Sequence, residues 1–132
     1  MAAGVFKTSV DRPRERTADG EIAPAVGPAD GVNGIAAVEA TFNPGRAHAF
    51  HAHPGQEEVI FVLEGRIEQW IEDTKQELGV GDVAVIHAGV VHATFNDGDV
   101  PARILAVLSP CVGESGYSAV DVSGQEPWRS LR

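Results

Sequence analysis

The sequence predicts an all-β fold, a sandwich or barrel of short strands. Three observations carry this. Short runs rich in Val, Ile and Phe recur from residue 32 onward, separated by Gly, Pro and Asn turn residues. No stretch sustains the helical period with caps at its ends. The eight prolines leave a gap between residues 55 and 100, where a central sheet can run uninterrupted.

The elements follow in chain order. Residues 1–31 mix charge, Pro and Gly ("DRPRERTADGEIAPAVGPADG") and read as an arm or edge strands. "GIAAVEATF" is a strand ending at Asn43-Pro44-Gly45. "EEVIFVLEG" and "RIEQWIED" are strands that meet at Glu64-Gly65, which reads as a tight hairpin turn. "GDVAVIHAG", "VVHATFN" and "ARILAVLS" supply three more, with "NDGD" as the turn before the last. Residues 32–122 form the barrel, and residues 123–132 are a tail.

Bulk properties narrow the function. The chain of 132 residues fits one domain, and 43% apolar residues suffice for a core. Nineteen acidic side chains against ten basic ones give a net charge of −9, which repels phosphate backbones and anionic lipid. Neither nucleic acid nor membrane is therefore expected as a partner. The single cysteine, Cys111, closes no intramolecular disulfide and reads as a small buried side chain. The opening "MAAGVFKTSV" lacks a charged segment followed by an apolar one, so no signal peptide is expected and the cytoplasm is the simplest location.

The chemistry concentrates in "HAFHAHPGQEE", residues 48 to 58. His51 and His53 are two apart, a spacing that puts both rings on one face of a strand. Glu58 opens the next strand, in phase with Ile60 and Val62, and His92 shares a face with Thr94 and Asn96. If these faces point into one barrel, three imidazoles and one carboxylate converge. A single strand histidine reads as a half-buried polar residue, whereas three in register with a carboxylate read as a metal site. Such a mixed nitrogen and oxygen set suits Mn, Fe, Co, Ni, Cu or Zn better than Ca or Mg. With a divalent ion its charge sums to about +1.

Two spaced blocks resemble the cupin family. Gly45, His51, His53, Glu58 and Gly65 match the first cupin motif across residues 45–65. Gly81, Gly89, His92 and Asn96 match the second across residues 81–96, with His87 where the family has proline. The resemblance implies a jelly-roll barrel of two antiparallel sheets with one divalent transition metal per chain inside its mouth. By position it assigns the ligands to His51, His53, Glu58 and His92. The spacing to Gly65 selects Glu58 and leaves Glu57 as a rim or surface carboxylate.

The remaining candidates are read as follows. His87 is the candidate catalytic residue, a proton shuttle or substrate contact, with a rim residue as the equal alternative. His48 lies off the ligand parity and reads as a solvated loop histidine. Phe50, Phe61, Trp70 and Phe95 read as core or interface packing, and Arg46, Arg66 and Arg103 as surface cations. An arginine reaching the mouth would hold a substrate carboxylate. The resemblance implies a metal-dependent enzyme acting on a small polar organic substrate (carbonyl, enol or carboxylate), as a dioxygenase or lyase. A non-catalytic binding or sensor barrel is the alternative, and a sugar isomerase is a weaker one. A homodimer is expected.

Overall fold

The computed structural model describes residues 3–132, so the first two positions of the expected arm lie outside the described residues. Eleven strands run in chain order as β1 Glu15–Thr17, β2 Gly20–Val26, β3 Ala36–Phe42, β4 Ala47–Ala52, β5 Glu57–Glu64, β6 Arg66–Ile71, β7 Thr74–Gly79, β8 Val83–Ile86, β9 His92–Phe95, β10 Ala102–Ser109 and β11 Val120–Asp121. One helical turn, α1, spans Trp128–Leu131. A six-stranded sheet ordered β1-β2-β3-β10-β5-β8 packs over a five-stranded sheet ordered β11-β4-β9-β6-β7. Neighbouring strands are antiparallel throughout, which is the two-sheet jelly roll that the family resemblance implied.

Alternation builds the core. β3 and β10 bury every second side chain along their whole length, as a sheet with one face on the core must. Val38, Phe42, Ile60, Val62, Ile67, Ile86, Ile104 and Leu108 meet between the sheets. A second, smaller cluster lies on the outer face of the five-stranded sheet. There Phe50, Trp70 and Ala93 are covered by Trp128 and Leu131 of the C-terminal segment. Phe50 and Trp70 are thus packing residues, as expected, whereas Phe61 is exposed on the outside of β5.

One expectation needs correction, and one strand was not foreseen. Glu64-Gly65 is not a hairpin, because β5 pairs with β10 and β8 while β6 pairs with β7 and β9. The turn carries the chain from one sheet to the other. Gly65 has φ +72°, and a Cβ there would come within 2.7 Å of the Pro101 carbonyl, so glycine is required. The hairpin lies one strand later, at Glu72-Asp73 between β6 and β7, with Glu72 at φ +53°. β7 was missed because its side chains are polar and mostly exposed, and because its turn carries no glycine.

Candidate metal centre

β4 and β9 lie side by side, with His51 opposite His92. β5 lies in the facing sheet and opens with Glu58 at the same end of the barrel. His53 follows β4 in the Pro54-Gly55 turn, which Gln56 N–H closes onto the His53 carbonyl. These elements bring His51, His53, Glu58 and His92 together, all four buried, with their ligand atoms within 4.8 Å of one another. Two ligands on one ion at roughly 2.1 Å stand at most about 4.2 Å apart, so well under about 1 Å of adjustment seats an ion. Glu57 points away and is exposed.

The hydrogen bonds fix which nitrogens face inward. Nδ1 of His51, His53 and His92 lies 2.6, 2.8 and 2.9 Å from the carbonyls of Ala49, Ser118 and Val90. A carbonyl only accepts, so each Nδ1 carries the proton and each Nε2 presents a lone pair to the cluster. Glu58 Oε1 is 2.7 Å from His92 Nε2 and 3.4 Å from His53 Nε2. Yet Glu58 Oε1 and His92 Nε2 are buried without a hydrogen-bond partner. Lone pairs facing one another in a buried space call for a proton or a cation between them. The donor set therefore fits a divalent transition metal, held by the three Nε2 atoms and the Glu58 carboxylate.

Electrostatics agree with this account. Burial is the largest influence on Glu58 and opposes its charge, but the close approach of the His53 and His92 rings outweighs it and holds the carboxyl of the metal-free site down at about 2. Burial, with His48 and His92 nearby, pushes His51 down to about 3 and keeps it neutral. Burial also disfavours the charged form of His53, but its contact with Glu58 prevails and raises it.

His48 departs from expectation. It is not a loop residue but part of β4, and it lines the same cavity as the four-residue cluster. Its ring stacks on His51, with centroids 3.5 Å apart. The cause is a β-bulge. Between His48 and His51 the register shifts, so that two residues, Ala49 and Phe50, stand opposite Ala93 alone. The extra residue inverts the alternation, and His48 and His51 face inward together. His87 is not brought to the cluster. It continues the outward face of Val83 and Val85 beyond β8, is exposed, and is absent from the cavity wall. Arg46, Arg66 and Arg103 do not line the cavity either.

Two residues gain a role that sequence reasoning missed. Gln56 is 1% exposed. Its amide donates to the carbonyls of Pro110 and Gly116 and accepts from Ser118 N–H. It thereby ties down the segment 110–118, which supplies the carbonyl for His53 Nδ1 and places Tyr117 at the cavity wall. The sequence separation of 54 to 62 residues left no local signal of these contacts.

The cavity holds about 70 Å³ and is walled mainly by aliphatic side chains of the six-stranded sheet. A larger groove of about 450 Å³ runs over β6 and β7. It is open to solvent, and its Arg66 is paired with Glu77, so it offers no comparable set of converging donors.

Residues 38–108 match the Cupin domain family model, more than half of the chain and both motif blocks. The chain belongs to the cupin family. Among cupin relatives it is 36% identical over 81 residues to germin-like protein subfamily 2 member 1 of Arabidopsis thaliana, covering 58% of this chain and 37% of that protein. It is 33% identical over 95 residues to protein SchB of Streptomyces halstedii, covering 72% and 66%. The chain thus spans about two fifths of the germin-like proteins it matches. Its fold superposes on Bacillus subtilis oxalate decarboxylase with TM-score 0.73 and 20% identity over 86% of this chain and 30% of the other. It superposes on KdgF from Halomonas sp. with TM-score 0.71 and 19% identity over 82% and 94%. Likeness at these identities establishes the shared cupin barrel. No helix among the described residues is long and apolar enough to cross a membrane.

Proposed function

We propose that this cupin is a metal-dependent enzyme acting on a small polar organic substrate with a carbonyl, enol or carboxylate group, by oxygenase or lyase chemistry. One observation carries the reading. Three imidazole lone pairs and a carboxylate converge in a buried space where Glu58 Oε1 and His92 Nε2 have no other partner. A divalent ion held there supplies Lewis acidity that polarises a carbonyl or enolate.

The protein supplies the rest. The backbone carbonyls of Ala49, Ser118 and Val90 orient the three rings, and such partners also raise ligand basicity. The aliphatic walls keep bulk water from the reacting group. His48, stacked on His51 and open on its other side, offers an imidazole to a substrate entering the cavity. We assign the substrate contact to His48 rather than to His87 on that placement.

The test is reconstitution of metal-free protein with Mn, Fe, Co, Ni, Cu and Zn in turn. Small keto acids, hydroxy acids and diketones are then screened, with dioxygen uptake and product mass as readouts. Turnover dependent on the metal and reduced by His48→Ala supports the proposal. A protein that retains metal and binds such compounds without turning any over is a non-catalytic binding cupin.

A further inference from the structure

From the walls of the cavity we infer that the site selects a small monoanionic chelator with an apolar body and discriminates against dicarboxylates; this deepens the metal-centre reading and rests on it. With a divalent ion the cluster carries about +1. One negative charge on the incoming molecule balances it, and a second has to find its own partner. None of the ten Lys and Arg side chains of the chain lines the cavity. Arg103 and Arg12, both associated with the six-stranded sheet, are engaged by Glu39, and Arg103 also by Glu64.

The remaining wall gives the second charge nothing. Val38, Ala40, Ile60, Ile104, Ala106 and Leu108 present aliphatic carbon. The Thr94 hydroxyl proton is already donated to Gln69 Oε1 at 2.6 Å. Only His48 and Tyr117 remain to donate single hydrogen bonds. A carboxylate set against aliphatic carbon without a cation pays its desolvation uncompensated, whereas a methyl group there is favoured. Size agrees. A water needs roughly 10–15 Å³ of such space, so 70 Å³ admits a molecule of a few heavy atoms.

Pyruvate and oxalate make the comparison clean. They have the same number of heavy atoms and form the same chelate ring, and a methyl group in one replaces a charged oxygen in the other. Protein loaded with cobalt(II) is titrated with each at roughly pH 8, above the ordinary histidine range. The cobalt visible spectrum and calorimetry report binding. Oxalate binds the free ion more tightly, so the quantity read is the oxalate-to-pyruvate affinity ratio on the protein divided by that ratio for the free ion in the same buffer. It should fall by about a hundredfold or more, the scale of one uncompensated charge in a poorly solvated site. Extraction of cobalt by oxalate without a ternary complex, seen by metal analysis after gel filtration, counts with that outcome. A ratio equal to or above the free-ion value, or no response to pyruvate, overturns the inference while leaving the metal centre intact. A protein that retains no cobalt before any titration overturns the metal-centre reading and this inference with it.

Discussion

Replacing Gln56 with alanine should loosen the metal centre without touching a ligand. The side chain makes three hydrogen bonds, to Pro110 O at 2.7 Å, to Gly116 O at 3.1 Å and from Ser118 N at 3.1 Å. Truncation strands two carbonyls and one N–H. A fully buried orphan costs about 1–3 kcal/mol. Only the Gly116 contact is fully buried, and water can re-solvate the two part-buried groups, so the expected loss is about 2–4 kcal/mol. That is less than the roughly 5–15 kcal/mol of a typical domain, so the variant should still fold. In metal-free protein the melting temperature should drop by on the order of 10 °C. The segment 110–118 also carries the Ser118 carbonyl that orients His53. Metal affinity, measured by competition with a chromophoric chelator, should therefore fall by about 10–100-fold. Gln56→Glu keeps the acceptor for Ser118 N–H but loses both donors, and should do no better. A stability loss under about 0.5 kcal/mol together with unchanged metal affinity would refute the reasoning, because segment 110–118 would then be held by other contacts.

Four further outcomes follow. Glu58→Gln should lower metal retention by elemental analysis while Glu57→Gln leaves it unchanged, since Glu58 is buried in the cluster and Glu57 is exposed; the reverse would place β5 one residue out of register. His87→Pro should leave metal content and turnover intact, with a small gain in melting temperature if the local φ suits proline, worth about 0.4–1 kcal/mol; loss of metal would show that His87 supports the site. Metal-free protein should lose stability in urea titrations as pH falls from 6.5 towards 3, because His51 is neutral when folded but protonated when unfolded, and further below 4.5 as Glu58 is forced to take a proton; a flat profile across that range would contradict both contributions. His53 is raised, so near pH 6.5 it keeps a proton that an incoming ion must displace; zinc binding followed by calorimetry in buffers of different ionisation enthalpy should show proton release that fades well above that pH.

Legibility followed the range of the interactions involved. The barrel strands and the four-residue cluster were readable because a period of two and fixed spacings are local properties of the chain. β7 escaped because "TKQELG" is polar and the Glu72-Asp73 turn lacks glycine. Glu64-Gly65 was misjudged because a turn sequence does not say whether the next strand pairs with the last or crosses to the other sheet. Gln56 and segment 110–118 met across more than fifty residues, and nothing local records such a contact. The C-terminal residues looked like a tail, yet Trp128 stacks on Phe50 with centroids 5.7 Å apart.

The bulge in β4 has a consequence for how this barrel can vary. One inserted residue divides the strand into two phases, with His51 on one side of the break and His48 on the other. Regular pairing with no residue removed would slide residues 47–49 by one position along β9 and turn their side chains over. His48 would then leave the cavity, while His51 kept its place opposite His92. The side chain at position 48 and the ligand set of the proposed metal centre are thus placed by separate stretches of backbone. A lineage could exchange the occupant of position 48, or its phase, without renegotiating the metal. The irregularity works as a joint between a constant half and a changeable half of one strand.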